Sequence, residues 1–138
     1  LRLVHGTRDK HKNKSEPKPT GEAKAPTWLS KKAKAVWKQL APELEAIGLL
    51  TSIDEQAFAV YCQSYAELIE AEAELIKGGK TQTTKDGFVR KSPWLSVRDE
   101  AHKRMQQIGA QFGFSPASRT RIEVKPKDDK NDKAQYLA

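Results

Sequence analysis

WLSKKAKAVWKQLAPELEAIGLLTSID, residues 28–54, decides the fold. It reads as one helix, a glycine stop, a capped restart and the beginning of a second helix. Ser30 is the expected N-cap, because a serine ahead of an apolar stripe can accept from the first free amides. Val36, Trp37, Leu40, Leu44 and Ile47 recur at steps of three and four and form one stripe. Lys31, Lys32, Lys34 and Lys38 occupy the first turns, off that stripe. Pro42 lacks a backbone donor and is expected to kink or split the helix. Trp28 and Leu29 precede the cap and are expected to staple its start. Gly48 suits the left-handed position after a helix.

Thr51 is then expected to cap a second helix, with Asp54 three residues on as its capping-box partner. This helix should run from Ser52 to Lys77, roughly 39 Å at 1.5 Å per residue. Its apolar positions are Ala57, Phe58, Tyr61, Cys62, Tyr65, Leu68, Ile69, Leu75 and Ile76, while Glu67, Glu70, Glu72 and Glu74 line the other side. Gly78-Gly79 ends it. Thr81, Thr83 and Thr84, then Lys85-Asp86-Gly87, then Phe88-Val89 give a β-hairpin signal over residues 80–91. A third helix follows from about Pro93 or Trp94 to Phe112, with Leu95, Val97, Ala101, Met105, Ile108 and Phe112 as its stripe. Gly113 stops it. Ser115-Pro116 starts a short helix, a capping residue followed by proline at the first helical position.

The fold class expected is therefore mainly α: a long antiparallel helical hairpin with a short β-hairpin tip, preceded by one helix. Its expected segments are a basic flexible arm (1–25), an N-terminal helical segment (26–50), an oligomerisation core with a short C-terminal helix (51–122), and a flexible charged tail (123–138). The arm reading rests on Pro17, Pro19 and Gly21 and on the lack of apolar periodicity after Val4.

Of 138 residues only 37% are hydrophobic and 31% are charged, so one modest core and some unstructured chain are expected. The net charge is +7. Residues 1–24 hold seven Lys/Arg against three Asp/Glu, 25–124 hold fourteen against twelve, and 125–138 hold four against three. That imbalance favours an anionic partner, nucleic acid or an acidic surface. Arg2, Arg8, Lys10, Lys12 and Lys14 in the arm, with Lys31, Lys32, Lys34 and Lys38, are the candidate DNA contacts. The alternative for the arm is a solubilising terminus.

Catalytic and metal chemistry find no support. His5, His11 and His102 have no ligand spacing. Cys62, alone of its kind, excludes an internal disulfide, and its neighbours Val60, Tyr61, Tyr65 and Ala66 suggest a core thiol. Gly79-Lys80-Thr81 resembles the end of a phosphate loop, but Glu74 stands where its first glycine belongs. No histidine is placed to activate a serine. The expectation is no enzyme, no cofactor and no metal. With no apolar run near ~20 residues and no signal peptide, a soluble intracellular protein is expected. Trp28, Trp37 and Trp94 are expected in the core rather than stacked on bases.

The ordered set Trp28-Leu29-Ser30, Trp37, Leu44, Gly48-Leu49-Leu50-Thr51-Ser52-Ile53-Asp54, Tyr61-Cys62, Gly79, Gly87, Pro93 and Phe112-Gly113-Phe114-Ser115-Pro116-Ala117-Ser118-Arg119 resembles bacteriophage terminase small subunits. Leu1-Arg2-Leu3-Val4-His5-Gly6 and Glu16-Pro17-Lys18-Pro19 also look like that family's opening, so the likeness spans residues 1–122. The resemblance implies viral DNA packaging in the cytoplasm of an infected bacterium, by a ring-shaped homo-oligomer. Such a ring binds double-stranded viral DNA and delivers it to a large subunit holding the ATPase and nuclease. Glu67, Glu70, Glu74, Tyr65, Leu68, Arg119 and Arg121 are the residues expected to contact neighbouring copies; the two arginines could equally reach phosphates. A dimeric helical transcription regulator and a protein-binding adaptor are the competing readings.

Overall fold

The computed structural model describes residue 19 and residues 21–122. Helix α1 (Lys31–Ala46) is followed by α2 (Glu55–Gly78), strands β1 (Thr81–Thr83) and β2 (Val89–Lys91), α3 (Pro93–Gln111) and a single turn, α4 (Pro116–Arg119). Helix α2 packs against both α3 and α1. Glu67 meets Arg104 while Glu72 approaches Arg98, so α2 and α3 run antiparallel. The expected mainly helical fold, with a helical hairpin and a β-tip, is the fold observed.

The local signals act largely as read. The Ser30 hydroxyl accepts from Ala33 N–H at 3.2 Å. Gly48 takes φ 75° and Gly113 φ 73°. The next amides reach back to the helix ends, Leu49 N–H to Leu44 O at 2.9 Å and Phe114 N–H to Gly109 O at 2.9 Å. Both are Schellman closures, which need a left-handed residue that glycine alone adopts without strain. At Gly113 an added Cβ would also lie 3.0 Å from Ile122 Cδ1. Gly113→Ala is therefore expected to lower stability by about 1–3 kcal/mol, read from urea unfolding; an unchanged midpoint would contradict this account. Ser115 and Ser118 cap α4 reciprocally, side chain to backbone in both directions.

The β-tip pairs Thr81 with Lys91, Gln82 with Arg90 and Thr83 with Val89. Gly87, at φ 84°, follows a turn closed by its own N–H to Thr84 O at 3.0 Å. That is the three-residue hairpin loop in which Asp-Gly supplies the left-handed residue.

Two boundaries differ from the sequence reading. Helix α1 is helical through Pro42 rather than split there. Lys38 and Pro42 are both exposed, so water can take the carbonyl that loses its partner. Helix α2 begins at Glu55 with Asp54 as N-cap, not at Ser52 with Thr51 as cap. The Thr51–Asp54 pair does form, but as a clamp on the preceding turn. Thr51 donates both its N–H (3.0 Å) and its hydroxyl (2.7 Å) to Asp54 Oδ2.

The core differs in which faces it uses. On α1 the buried residues are Ala33, Trp37, Ala41 and Leu44, while Ile47 is exposed. On α2 they are Phe58, Ala59, Cys62, Ser64, Ala66, Ala71 and Leu75. Tyr65, Ile69 and Ile76, expected on the apolar side, are exposed. Helices with alanine at the contact approach closely, and the small residues then vanish from solvent while larger neighbours stay at the rim. Phe58 is the centre: its ring lies 4.7 Å from Trp37, 5.5 Å from Phe112 and 6.2 Å from Tyr61. Leu29 is buried with this cluster, but Trp28 is half exposed rather than in the core. Trp94 is half-buried.

Candidate nucleic-acid interface

Residues 21–26 have no regular secondary structure and are fastened to the start of α2. Ser52 N–H donates to Gly21 O at 3.0 Å, and Lys24 N–H to Glu55 Oε1 at 2.9 Å. Ala23 packs on the core. Ser30 N–H donates to Gln63 Oε1 at 3.1 Å, which ties the first turn of α1 to α2. The end of the expected flexible arm is thus held on the body before residue 25. Arg2, Arg8, Lys10, Lys12 and Lys14 lie outside the described residues.

This anchoring shapes a shallow groove between the incoming chain and α1, lined by Ala25, Lys31, Lys34, Ala35 and Lys38. Positions 31, 34, 35 and 38 share one helical face, at steps of three and four. Lys31 and Lys38 are exposed and Lys34 is half-buried; Lys32 is exposed beyond the groove. The first turn of α1 carries no acidic residue. Lysines there oppose the helix macrodipole, whose positive end lies at the N-terminus, each at about 0.3–1 kcal/mol. Cationic side chains and free amides together favour an anion at this end.

The expected contact residues fall into different surroundings. Glu67 is bound within the chain: Arg104 donates to its carboxylate through Nη2 and to Ser64 Oγ through Nε at 3.1 Å. Glu74 pairs with Lys77 at 3.0 Å. Glu70 is exposed and makes no ion pair among the described residues. Tyr65 is exposed, and half-buried Leu68 borders a groove with Glu72, Arg98, Asp99 and His102. Arg119 Nη1 donates to Gly113 O at 3.3 Å, so its head braces the turn after α3; Arg121 is exposed. The Arg104 tie to Ser64 and Glu67 had no sequence signal, since its partners lie some forty residues away.

Cys62 is fully buried, and burial pushes its thiol up to about 12 from 9.0, against a smaller opposing pull from a backbone hydrogen bond. Burial also raises the Tyr61 hydroxyl, helped by Cys62 and Tyr65. The thiol is expected to resist alkylation at pH 8 until the protein unfolds; rapid labelling of the native protein would contradict this. The unfolded chain ionises this group first, so its contribution to stability holds below about pH 9 and is lost toward pH 12. Among the described residues no group of three or more His, Cys, Asp or Glu is placed to hold a metal.

The described chain is thus a helical hairpin preceded by a helix whose first turns carry a lysine-lined face. A family model described as "Phage terminase, small subunit" matches residues 33–129. The chain belongs to that family. No curated protein and no solved structure matches it. Among the described residues no helix is long and apolar enough to cross a membrane.

Proposed function

We propose that this terminase small subunit binds double-stranded viral DNA and delivers it to the large terminase subunit for packaging into the procapsid. The ATPase and nuclease steps belong to the large subunit, and this chain performs no catalysis. The family match over residues 33–129 carries the reading. The Lys31, Lys34 and Lys38 face supports it, because a row of cations beginning at the positive end of a helix attracts an anion. The arm residues Arg2, Arg8, Lys10, Lys12 and Lys14 extend the same positive charge along the duplex. Contacts of this kind go to phosphates, so binding is only weakly sequence-specific.

The working form is a ring of identical subunits. Exposed Tyr65 and Ile69, 38% and 45% accessible, leave an apolar strip on α2 that a neighbouring copy covers. Half-buried Leu68 and exposed Glu70, on the same helix, and exposed Arg121 are the further residues offered to that contact. Glu67, Glu74 and Arg119 have partners inside the chain and contribute to it only secondarily.

Mass measurement in solution, joined to titration of duplex DNA at several salt concentrations, tests the reading. A closed ring that binds DNA with a steep salt dependence is expected. A DNA-binding dimer would favour the regulator, and assembly without DNA binding would favour the adaptor.

A further inference from the structure

We propose that the β-hairpin end of the molecule, residues 77–91, is a second DNA-contacting element, gripping phosphates at a point remote from α1. It rests on the reading above that this chain binds duplex DNA. Charge is sharply segregated along the hairpin. Residues 55–76 hold five glutamates and no Lys or Arg, whereas residues 77–91 hold five Lys/Arg against Asp86. Lys77 is engaged by Glu74. Lys80, Lys85, Arg90 and Lys91 are exposed, and none makes an ion pair among the described residues.

The register spreads these cations over the ribbon. Lys91 lies across from Thr81 and Arg90 across from Gln82, so adjacent pairs present opposite faces. Threonine, glutamine, lysine and arginine are the side chains that contact phosphate oxygens. A two-stranded antiparallel ribbon is also narrow enough for the major groove, about 12 Å wide. At its end Phe88 and Val89 are 73% and 70% accessible. A two-stranded hairpin is marginal by itself in water, so a ligand that covers it also stabilises it.

A second copy of the chain offers acidic α2 as a competing occupant. Four of its five glutamates are already used: Glu55 by Lys24 N–H, Glu67 by Arg104, Glu72 by Arg98 at 3.9 Å and Glu74 by Lys77. Among the described residues, Glu70 is the one α2 glutamate without such a partner for a neighbour's four cations, whereas duplex DNA presents unpaired phosphates at close spacing. The start of α1 is tied to Gln63 of α2, so the tip after Gly78 lies about 22 Å farther along the axis. The two basic elements can therefore grip one duplex at separate places.

The test compares full-length protein with a K80Q/K85Q/R90Q/K91Q variant and with K31Q/K34Q/K38Q, titrating a short mixed-sequence duplex at several salt concentrations. Solution mass and melting temperature are measured on each. The tip variant should keep its mass and melting temperature, lose affinity on the order of 10- to 100-fold at moderate salt, and show a salt slope shallower by about 2–4. F88S, which keeps every charge, should weaken binding with the slope unchanged. Undiminished affinity in the tip variant, while K31Q/K34Q/K38Q binds poorly, would overturn this proposal and leave DNA binding by α1 standing. A lower mass for the tip variant would overturn it too, assigning the tip to contacts between copies. Failure of the unaltered protein to bind DNA would overturn the functional reading itself.

Discussion

Phe58→Ala is expected to destabilise the subunit by about 3–5 kcal/mol. Phe58 is wholly inaccessible and sits among three rings, Trp37 on α1, Tyr61 on its own helix and Phe112 at the end of α3. It thus joins all three long helices at one point. Truncation removes the transfer energy of a full aromatic ring, leaves a cavity that helices fixed elsewhere cannot close, and breaks an edge-to-face pair. Phe58→Leu keeps much of the volume and should cost less. Urea unfolding at fixed protein concentration measures both, because assembly would otherwise make the apparent stability depend on concentration. A loss under about 1 kcal/mol for the alanine variant would mean that α1 contributes little to the fold.

Neutralising Arg2, Arg8, Lys10, Lys12 and Lys14 together is expected to flatten the salt dependence of DNA binding by as much as about 4–5 in the logarithmic slope. Neutralising Lys31, Lys34 and Lys38 should remove about 2–3. Each lysine or arginine that meets a phosphate releases condensed counterions, so the slope counts contacts whatever the DNA sequence. Assembly should survive both changes, since Lys31, Lys34 and Lys38 lie outside the buried cluster and the arm residues lie outside every apolar stripe of the sequence. Unchanged slope after arm neutralisation would assign the arm a solubilising role and leave the contact to α1. Unchanged slope after the α1 substitutions would show that the groove beside Ala25 holds no DNA.

The elements were legible in the sequence because their signals are local. Ser30, Gly48, Gly79, Asp86-Gly87, Pro93, Gly113 and Ser115-Pro116 each act through their own dihedrals or through partners within about four residues. They placed three helices, a hairpin and a final turn at or near the observed positions. The cluster Lys31, Lys34 and Lys38 was equally visible. The basic tip was written in the same sequence, but a charge count over residues 25–124 averages it with the glutamates of α2; counting by element separates them.

The faces and pairings were not legible. Size and hydropathy favoured Ile47, Tyr65, Ile69 and Ile76 for the core, yet they are exposed, while Ala33, Ala41, Ala59, Ala66 and Ala71 are buried beside the expected Trp37, Leu44, Phe58 and Cys62. Burial depends on which side of a helix another helix reaches, and α1 meets α2 around Phe58 and Gln63, through Trp37 and Ser30. The arginine that clamps α2 to α3 is likewise a tertiary fact: Ser64 and Glu67 stand 40 and 37 residues from Arg104, beyond any spacing rule. Sequence alone placed each helix and turn to within a few residues, because caps and left-handed glycines are short-range, though it set the start of α2 at Ser52 instead of Glu55. Only tertiary packing decided which faces meet and which charges stay free for a partner, because those depend on residues far apart in the chain.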